Sequence, residues 1–213
     1  MDIYASDEEK AEAIKQWWRD NGRSVVAGVL LGTATIFGFR YWIAHQHMQD
    51  QTASALYQQA SIEIMQGESE ASQQSVQALT ENYASTAYAV FAALQLAEKA
   101  ASDNDTQTAA SYLEWVIENA KLTGHVELAK LRLAKLKLSL NDLEAASELA
   151  NSTDSVAFRS LFTELQGDIL VAQGDSDAAR DAYQQAMASL MPGEPRQSLL
   201  QLKLDDVAVA NES

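Results

Sequence analysis

The sequence predicts an all-α protein, in which a single N-terminal transmembrane helix is followed by a solenoid of helical hairpins. Two observations lead to this class. Residues 24–39 carry no charged side chain, and a pattern of small residues and turns recurs three times in the rest of the chain. The composition agrees, because alanine, leucine, glutamine, glutamate and serine dominate and only two of the 213 residues are prolines.

A transmembrane helix is predicted at residues 24–43. The uncharged run of 16 residues is short for a bilayer span, which needs about 20. Pairs of aromatic residues flank the run, however, and aromatic rings prefer the headgroup level of a membrane. Between the two pairs a helix rises about 35 Å, which is enough to cross the hydrocarbon. The aromatic residues are Trp17, Trp18, Tyr41 and Trp42.

Two other interpretations fit this segment less well. A cleaved signal peptide has a short basic leader and a small-residue cleavage site, whereas this leader has 23 residues and six acidic side chains. A buried core helix is disfavoured by Gly28, Gly32 and Gly38, because glycine weakens a helix in water but small residues are common in membrane spans.

The distribution of basic residues predicts the orientation. Four Lys or Arg residues precede the span, whereas none lies between Arg40 and Lys99. The positive-inside rule therefore places residues 1–23, an amphipathic segment, in the cytoplasm and residues 44–213 on the far side. In a bacterium with two membranes the far side is the periplasm, so we expect a single-pass inner-membrane protein.

The acidic composition limits the partners of the outer domain. Residues 41–213 contain 24 acidic and 10 basic side chains, a net charge of −14. Such a surface repels nucleic acid and anionic lipid, so neither is an expected ligand. The absence of cysteine excludes a thiol nucleophile and a thiolate metal site.

Turn signals rich in glycine, asparagine, aspartate and proline predict nine helices after the span. They are expected near residues 48–66, 72–82, 86–101, 105–120, 124–140, 142–151, 155–173, 175–190 and 196–210.

Four positions recur in phase along these helices. A small residue is followed seven positions later by asparagine or glycine, then by an aspartate that can cap the next helix, and finally by alanine. The separations of 37 and 33 residues are typical of tetratricopeptide repeats, whose stacked helical hairpins enclose a concave groove. A helical bundle without regular stacking is the alternative. The positions are Ala97, Asn104, Asp105 and Ala109; Ala134, Asn141, Asp142 and Ala146; and Gly167, Gly174, Asp175 and Ala179.

The register also predicts a partner-binding surface on the first helix of each hairpin. The side chains expected to line or rim the groove are Phe91, Glu98, Leu128, Lys135, Leu161 and Asp168. Core packing is the competing interpretation for the three apolar side chains. A basic cluster in the same region, residues 130–137, fits either a solvated face or a docking surface for an acidic partner. Within the span, Gly28 and Gly32 form a GxxxG pattern that lets a second transmembrane helix approach closely.

No catalytic, metal or cofactor site is predicted, so we expect a protein that is not an enzyme. His45 and His47 lie about 200° apart on a helix and cannot bind one metal from a single face. His125 follows a glycine at a helix start and is expected to be exposed or to cap the helix. An envelope enzyme with an unrecognised site is the alternative from another class.

The first 45 residues carry a more specific signature. It comprises Ile3-Tyr4, Trp17-Trp18, Asn21-Gly22, the spaced Gly28, Gly32 and Gly38, and Arg40-Tyr41-Trp42. With this signature the sequence resembles the YfgM family, the ancillary SecYEG translocon subunits of Gram-negative bacteria. The resemblance extends over nearly the whole chain in length and helical order.

This resemblance implies a function that the residues alone do not. Family members are single-pass inner-membrane proteins with periplasmic repeat domains, associated with the SecYEG translocon and with PpiD, a membrane-anchored periplasmic chaperone. The resemblance implies a non-enzymatic adaptor that helps newly translocated polypeptides pass to periplasmic chaperones. A scaffold for another envelope assembly machinery, or a regulator of envelope stress signalling, is the alternative. The resemblance brings no contact residue with it.

Overall fold

A computed structural model describes residues 7–153, 155–190 and 193–210, and every regular element in these ranges is an α-helix. The first six residues and the last three of the chain lie outside the described ranges. The all-α prediction is confirmed. The helices are α1 (Asp7–Gln66), α2 (Ser69–Asn82), α3 (Ala87–Ser102), α4 (Thr106–Asn119), α5 (Thr123–Ser139), α6 (Leu143–Ala150), α7 (Arg159–Gln173), α8 (Ser176–Ala188) and α9 (Arg196–Ala210).

The predicted transmembrane helix and the helix expected at 48–66 are one continuous helix, α1, of 60 residues. The sequence between residues 39 and 66 contains no glycine or proline that would break it. Contacts divide the chain into two units, residues 1–51 and residues 52–213.

In the first unit, α1 exposes large apolar side chains in all directions. Leu31 is 70% exposed and Phe37 67% exposed, and the most apolar 18-residue window has a mean hydropathy of 1.4. The Thr35 hydroxyl donates a hydrogen bond to the Leu31 carbonyl, 2.8 Å away, so this polar group is satisfied within the helix. By length and composition α1 can cross a membrane. In a bilayer the lipid tails would surround its exposed apolar side chains.

The second unit is built from successive helical hairpins. Its buried side chains form a series of clusters, each shared by helices that are neighbours in sequence. The hairpins α3–α4, α5–α6 and α7–α8 follow one another, and the first helices α3, α5 and α7 contact each other in turn. Stacking of this kind is the architecture of a repeat solenoid, because no single hairpin can bury its own apolar face.

The turns of the three hairpins share one backbone geometry. Asn104, Asn141 and Gly174 have positive φ angles of 63°, 59° and 83°, as expected for a helix C-terminus closed by a left-handed residue. The amide of the next residue donates back to a carbonyl five residues earlier, as from Asp105 to Ala100 at 2.8 Å and from Asp175 to Leu170 at 2.9 Å. The predicted turn position is thus confirmed in all three repeats.

The aspartate after each turn caps the following helix, as predicted. The carboxylates of Asp105, Asp142 and Asp175 accept hydrogen bonds from backbone amides three residues later, at 3.1, 3.3 and 3.0 Å. These bonds satisfy amide groups that have no partner within the helix. Hydrogen bonds from the side chain and from the backbone amide of Thr108 hold the pKa of Asp105 below its ordinary value, because they favour the ionised form.

The small residues lie where the paired helices cross. Ala97 and Ala134 are buried, and so are the alanines twelve positions later in each repeat. Gly167 is a special case, because a Cβ atom there would lie 2.4 Å from the ring of Tyr183. The third crossing therefore needs glycine, since the tyrosine ring fills the space that an alanine methyl group occupies in the other repeats.

We expect Gly167→Ala to lower the free energy of unfolding by about 1–3 kcal/mol, because the new methyl group overpacks the Tyr183 ring. Gly124→Ala is the matched control, since nothing lies within 4 Å of its added Cβ and alanine is the better helix former. Urea unfolding of both variants measures the difference. Equal stability of the two variants would show that the third crossing is looser than described.

Candidate partner-binding surface

The predicted surface residues occupy two positions on successive first helices. Residues seven apart lie on the same side of a helix, so each of α3, α5 and α7 presents one apolar and one charged position. These helices contact each other in turn, so the six positions follow one side of the stack. Phe91, Glu98 and Lys135 are exposed, whereas Leu128, Leu161 and Asp168 are half-buried.

Phe91 belongs to a group of aromatic rings at the surface, the aromatic cluster of Tyr57, Tyr88, Phe91 and His125. Phe91 is 40% exposed, and its ring meets the His125 ring edge-on with centroids 5.4 Å apart. Tyr57 lies 6.3 Å from Phe91 and 5.9 Å from Tyr88. Exposed aromatic groups of this kind are common at protein–protein contacts, because they combine apolar area with polar edges.

Leu128 and Leu161 are less exposed than Phe91 and lie at the edge of the hydrophobic core. Leu128 packs against the core cluster shared by α3, α4 and α5, and Leu161 against the one shared by α5, α6 and α7. Half-buried leucines at the edge of a core stabilise the stack and still expose part of their surface. Their contact with a partner stays a prediction.

The structure brings two of the predicted charged residues together in one cleft. Glu98 and Lys135 both line a cleft of about 400 Å³ between α3, α4 and α5. Arg132 lines the same cleft, and its guanidinium lies 3.2 Å from the Glu98 carboxylate.

The basic cluster of α5 resolves into paired and unpaired members. Lys130 lies 3.6 Å from Glu127 and donates to the Ser152 carbonyl at 3.1 Å. The Lys137 ammonium lies 4.0 Å from Asp142, and Arg132 pairs with Glu98. Lys135 makes no ion pair or hydrogen bond within the part of the chain that the structure describes. Three of the four basic residues are therefore half-buried and ion-paired, and Lys135 is the exposed exception.

Asp168 is held by partners within the chain. Its Oδ1 atom lies 2.6 Å from the Lys203 ammonium and accepts a hydrogen bond from the Tyr183 hydroxyl at 2.8 Å. Glu164, which is only 7% exposed, lies 2.8 Å from Lys203 and 3.0 Å from Arg196. These five side chains form the α7–α9 polar network, which fastens the last helix to the third hairpin.

The α7–α9 polar network shifts two pKa values. Burial raises the pKa of Tyr183, and the hydrogen bond and charge of Asp168 raise it further. Burial by itself lowers the pKa of Lys203, but its hydrogen bonds to Asp168 and Glu164 outweigh that effect and hold the pKa above its ordinary value. Sequence reasoning missed this network, although opposite charges about one repeat apart were a signal that could have revealed it.

We expect stability to fall at alkaline pH through this network. Both pKa values are raised above ordinary values of 10.0 and 10.5, so the stabilisation is complete below about pH 10 and is lost as the pH rises through the folded-state values. Tyr183→Phe should flatten this alkaline loss, measured by urea unfolding across the pH range. Tyr88→Phe, in the aromatic cluster, is the control and should keep the wild-type slope. An unchanged slope in Tyr183→Phe would contradict the assignment.

The GxxxG positions are open on the surface of α1. Outside the helix backbone, no atom of the described residues lies within 4 Å of a Cβ atom placed on Gly28 or Gly32. The two glycines are four residues apart and lie on one face of the helix, where a second helix can approach closely.

Within the described residues no group of three or more His, Cys, Asp or Glu side chains could hold a metal ion.

These features define a class of protein. A helix able to span a membrane precedes stacked hairpins with left-handed, aspartate-capped turns, which is a membrane-anchored protein of the tetratricopeptide type. In agreement, residues 15–209 match a family model described as a tetratricopeptide repeat-like domain.

Curated relatives give the family. The chain is 30% identical over 201 residues to a Haemophilus influenzae protein named ancillary SecYEG translocon subunit, covering 94% of this chain and 97% of the relative. Two further proteins of the same name are each 26% identical to the chain. The Escherichia coli protein matches 98% of this chain and the Neisseria gonorrhoeae protein 97%, and both are covered over their full length. The chain belongs to the family of ancillary SecYEG translocon subunits, YfgM, as the N-terminal signature indicated.

Proposed function

We propose that this protein is a non-enzymatic inner-membrane adaptor, associated with the SecYEG translocon, that helps pass newly translocated polypeptides to periplasmic chaperones. The observation that carries the proposal is similarity along nearly the whole chain to proteins named as ancillary subunits of that translocon. The repeat domain supports it, because stacked helical hairpins offer an extended surface that suits binding to other proteins.

The proposed topology has three parts. Residues 1–23 are cytoplasmic, residues 24–43 span the bacterial inner membrane, and residues 44–213 are periplasmic. The concentration of Lys and Arg before the span supports this orientation. The location also matches the proposed task, because translocated polypeptides emerge on the periplasmic side.

A reporter enzyme that is active only in the periplasm tests this orientation. Fused to the C-terminal end of the chain, it should be active, because the span exports the domain that follows. The same reporter fused after Arg23 should be inactive, since that fusion lacks the span. The reverse pattern would place the repeat domain in the cytoplasm and contradict the proposal.

The proposed partners contact two surfaces. In the membrane, the face with Gly28 and Gly32 approaches a helix of the translocon. In the periplasm, the repeat domain binds translocating polypeptides and a PpiD-like chaperone. Its proposed contact residues are Phe91, Glu98, Leu128, Lys135, Leu161 and Asp168. Support comes from the aromatic cluster, in which Phe91 is exposed, and from the cleft that holds Glu98 and Lys135.

Affinity purification in mild detergent tests the association. SecY and a PpiD-like protein should be recovered with the wild-type chain, and the double variant Gly28→Leu, Gly32→Leu should recover less SecY. Outside the helix backbone, no atom of the described residues lies within 4 Å of either Cβ position, so the loss would report a partner helix rather than a damaged fold. Gly38→Leu is the control, because Gly38 is equally open but lies about 100° away on the helix.

Other recovered proteins would favour the alternatives. Cell-wall synthases in place of SecY would indicate a scaffold for another envelope assembly machinery. An envelope stress regulator in their place would indicate a role in stress signalling. Photoreactive side chains at Phe91, Leu128 and Leu161 then show which partner lies on the repeat domain, and cross-links to none of these proteins would contradict the proposed surface.

A further inference from the structure

We propose that the cleft between α3, α4 and α5 binds an acidic side chain of an extended polypeptide, together with an apolar neighbour of that side chain. Lys135 binds the carboxylate, and the floor of the cleft accepts the apolar side chain. This inference rests on the proposed function, which makes unfolded polypeptides the ligands, and it specifies which segments of them are bound.

The shape and lining of the cleft suit a short stretch of peptide. Its volume of about 400 Å³ falls within the range of about 300–1,000 Å³ that is usual for ligand sites. The floor is apolar and includes small side chains, which leave room for a larger one. The apolar lining residues are Ala97, Ala101, Leu113 and Leu136.

The charge at the rim favours a carboxylate. Arg132 and Lys135 are cationic and Glu98 is anionic, so the lining of the cleft carries one excess positive charge. Glu98 lies 3.2 Å from Arg132, whereas Lys135 is exposed and without a partner among the described residues. The ammonium group of Lys135 is therefore available to a ligand at no cost in broken ion pairs.

The repeat register explains why Lys135 is unpaired. Glu98 and Asp168 stand at the same position of the other two hairpins. Glu98 pairs with a basic residue on α5, and Asp168 pairs with one on α9. Those residues are Arg132 and Lys203, 34 and 35 positions further along. Lys135 reverses the charge at this position, and no acidic side chain of α7 pairs with it within the described residues. The middle hairpin thus keeps a positive charge for a ligand where its neighbours use an acid to join the stack.

The surrounding charge limits the ligand to few carboxylates. Residues 41–213 have a net charge of −14, which repels strongly anionic chains. A single acidic side chain between apolar residues meets less repulsion and also fills the floor of the cleft. The same argument disfavours nucleic acids and acidic tails with many carboxylates.

Fluorescence anisotropy with full-length protein in detergent tests the inference. The first probe is a short labelled peptide with one glutamate between two leucines and an amidated C-terminus, and the second carries glutamine instead. We expect the glutamate peptide to bind about two- to fivefold more tightly, the range of one exposed ion pair. Lys135→Gln should abolish this preference. Lys137→Gln removes the same charge from the same helix, where that residue pairs with Asp142, and should keep the preference.

The remaining outcomes overturn the inference. Equal affinity for the two peptides would show that the cleft has no preference for an acidic side chain. If Lys135→Gln and Lys137→Gln reduced the preference equally, long-range electrostatic attraction would explain it and no specific contact with Lys135 would be needed. Tight binding of the glutamine peptide only when its C-terminal carboxylate is free would assign the cleft to chain ends. If SecY is recovered but no acid preference is found, this inference alone fails. If the preference is found without SecY, the cleft stands and the proposed function fails.

Discussion

The hairpins α3–α4, α5–α6 and α7–α8 are each closed by a left-handed residue followed by an aspartate, and the stack depends on this turn. Asn104, Asn141 and Gly174 reverse the chain within a few residues, and the aspartates cap the helices that follow. The short turn keeps the two helices close, so the first helix of each hairpin needs a small residue at the crossing. The first helices are thereby placed side by side, and the surface of the domain follows from their register.

The charged side chains of that surface have two roles. Some form ion pairs that stabilise the stack, and one is proposed to bind a ligand. Glu98 and Asp168 each reach a basic partner one repeat further on, and the α7–α9 polar network fastens the last helix in this way. Lys135 stands at the same position with the opposite charge. Three members of the aromatic cluster lie near the N-terminal ends of α3 and α5, so the exposed Phe91 ring and the unpaired lysine lie on neighbouring first helices.

Much of this architecture could be predicted because it is local. A left-handed turn, a capping aspartate and a buried alanine each leave a trace within a few residues, and the repeat period amplifies it. The continuity of α1 was less predictable, since a span and a soluble helix join without a breaking residue. The aromatic cluster and the α7–α9 polar network were missed, because Tyr57, His125 and Arg196 meet their partners only after distant helices have stacked. The sequence placed Lys135 at the surface, but only the distances to its neighbours set it apart from Lys130 and Lys137.

The glycine at the third crossing has a consequence for how such a domain can change. Gly167 and Tyr183 fit together, whereas the equivalent pairs are Ala97 with Leu113 and Ala134 with Ala150. A recombination event that exchanged the first half of one hairpin for another would bring an alanine methyl group against the tyrosine ring. Gly167 and Tyr183 must therefore be exchanged together, and a recombination that moves the whole α7–α8 hairpin keeps the pair intact.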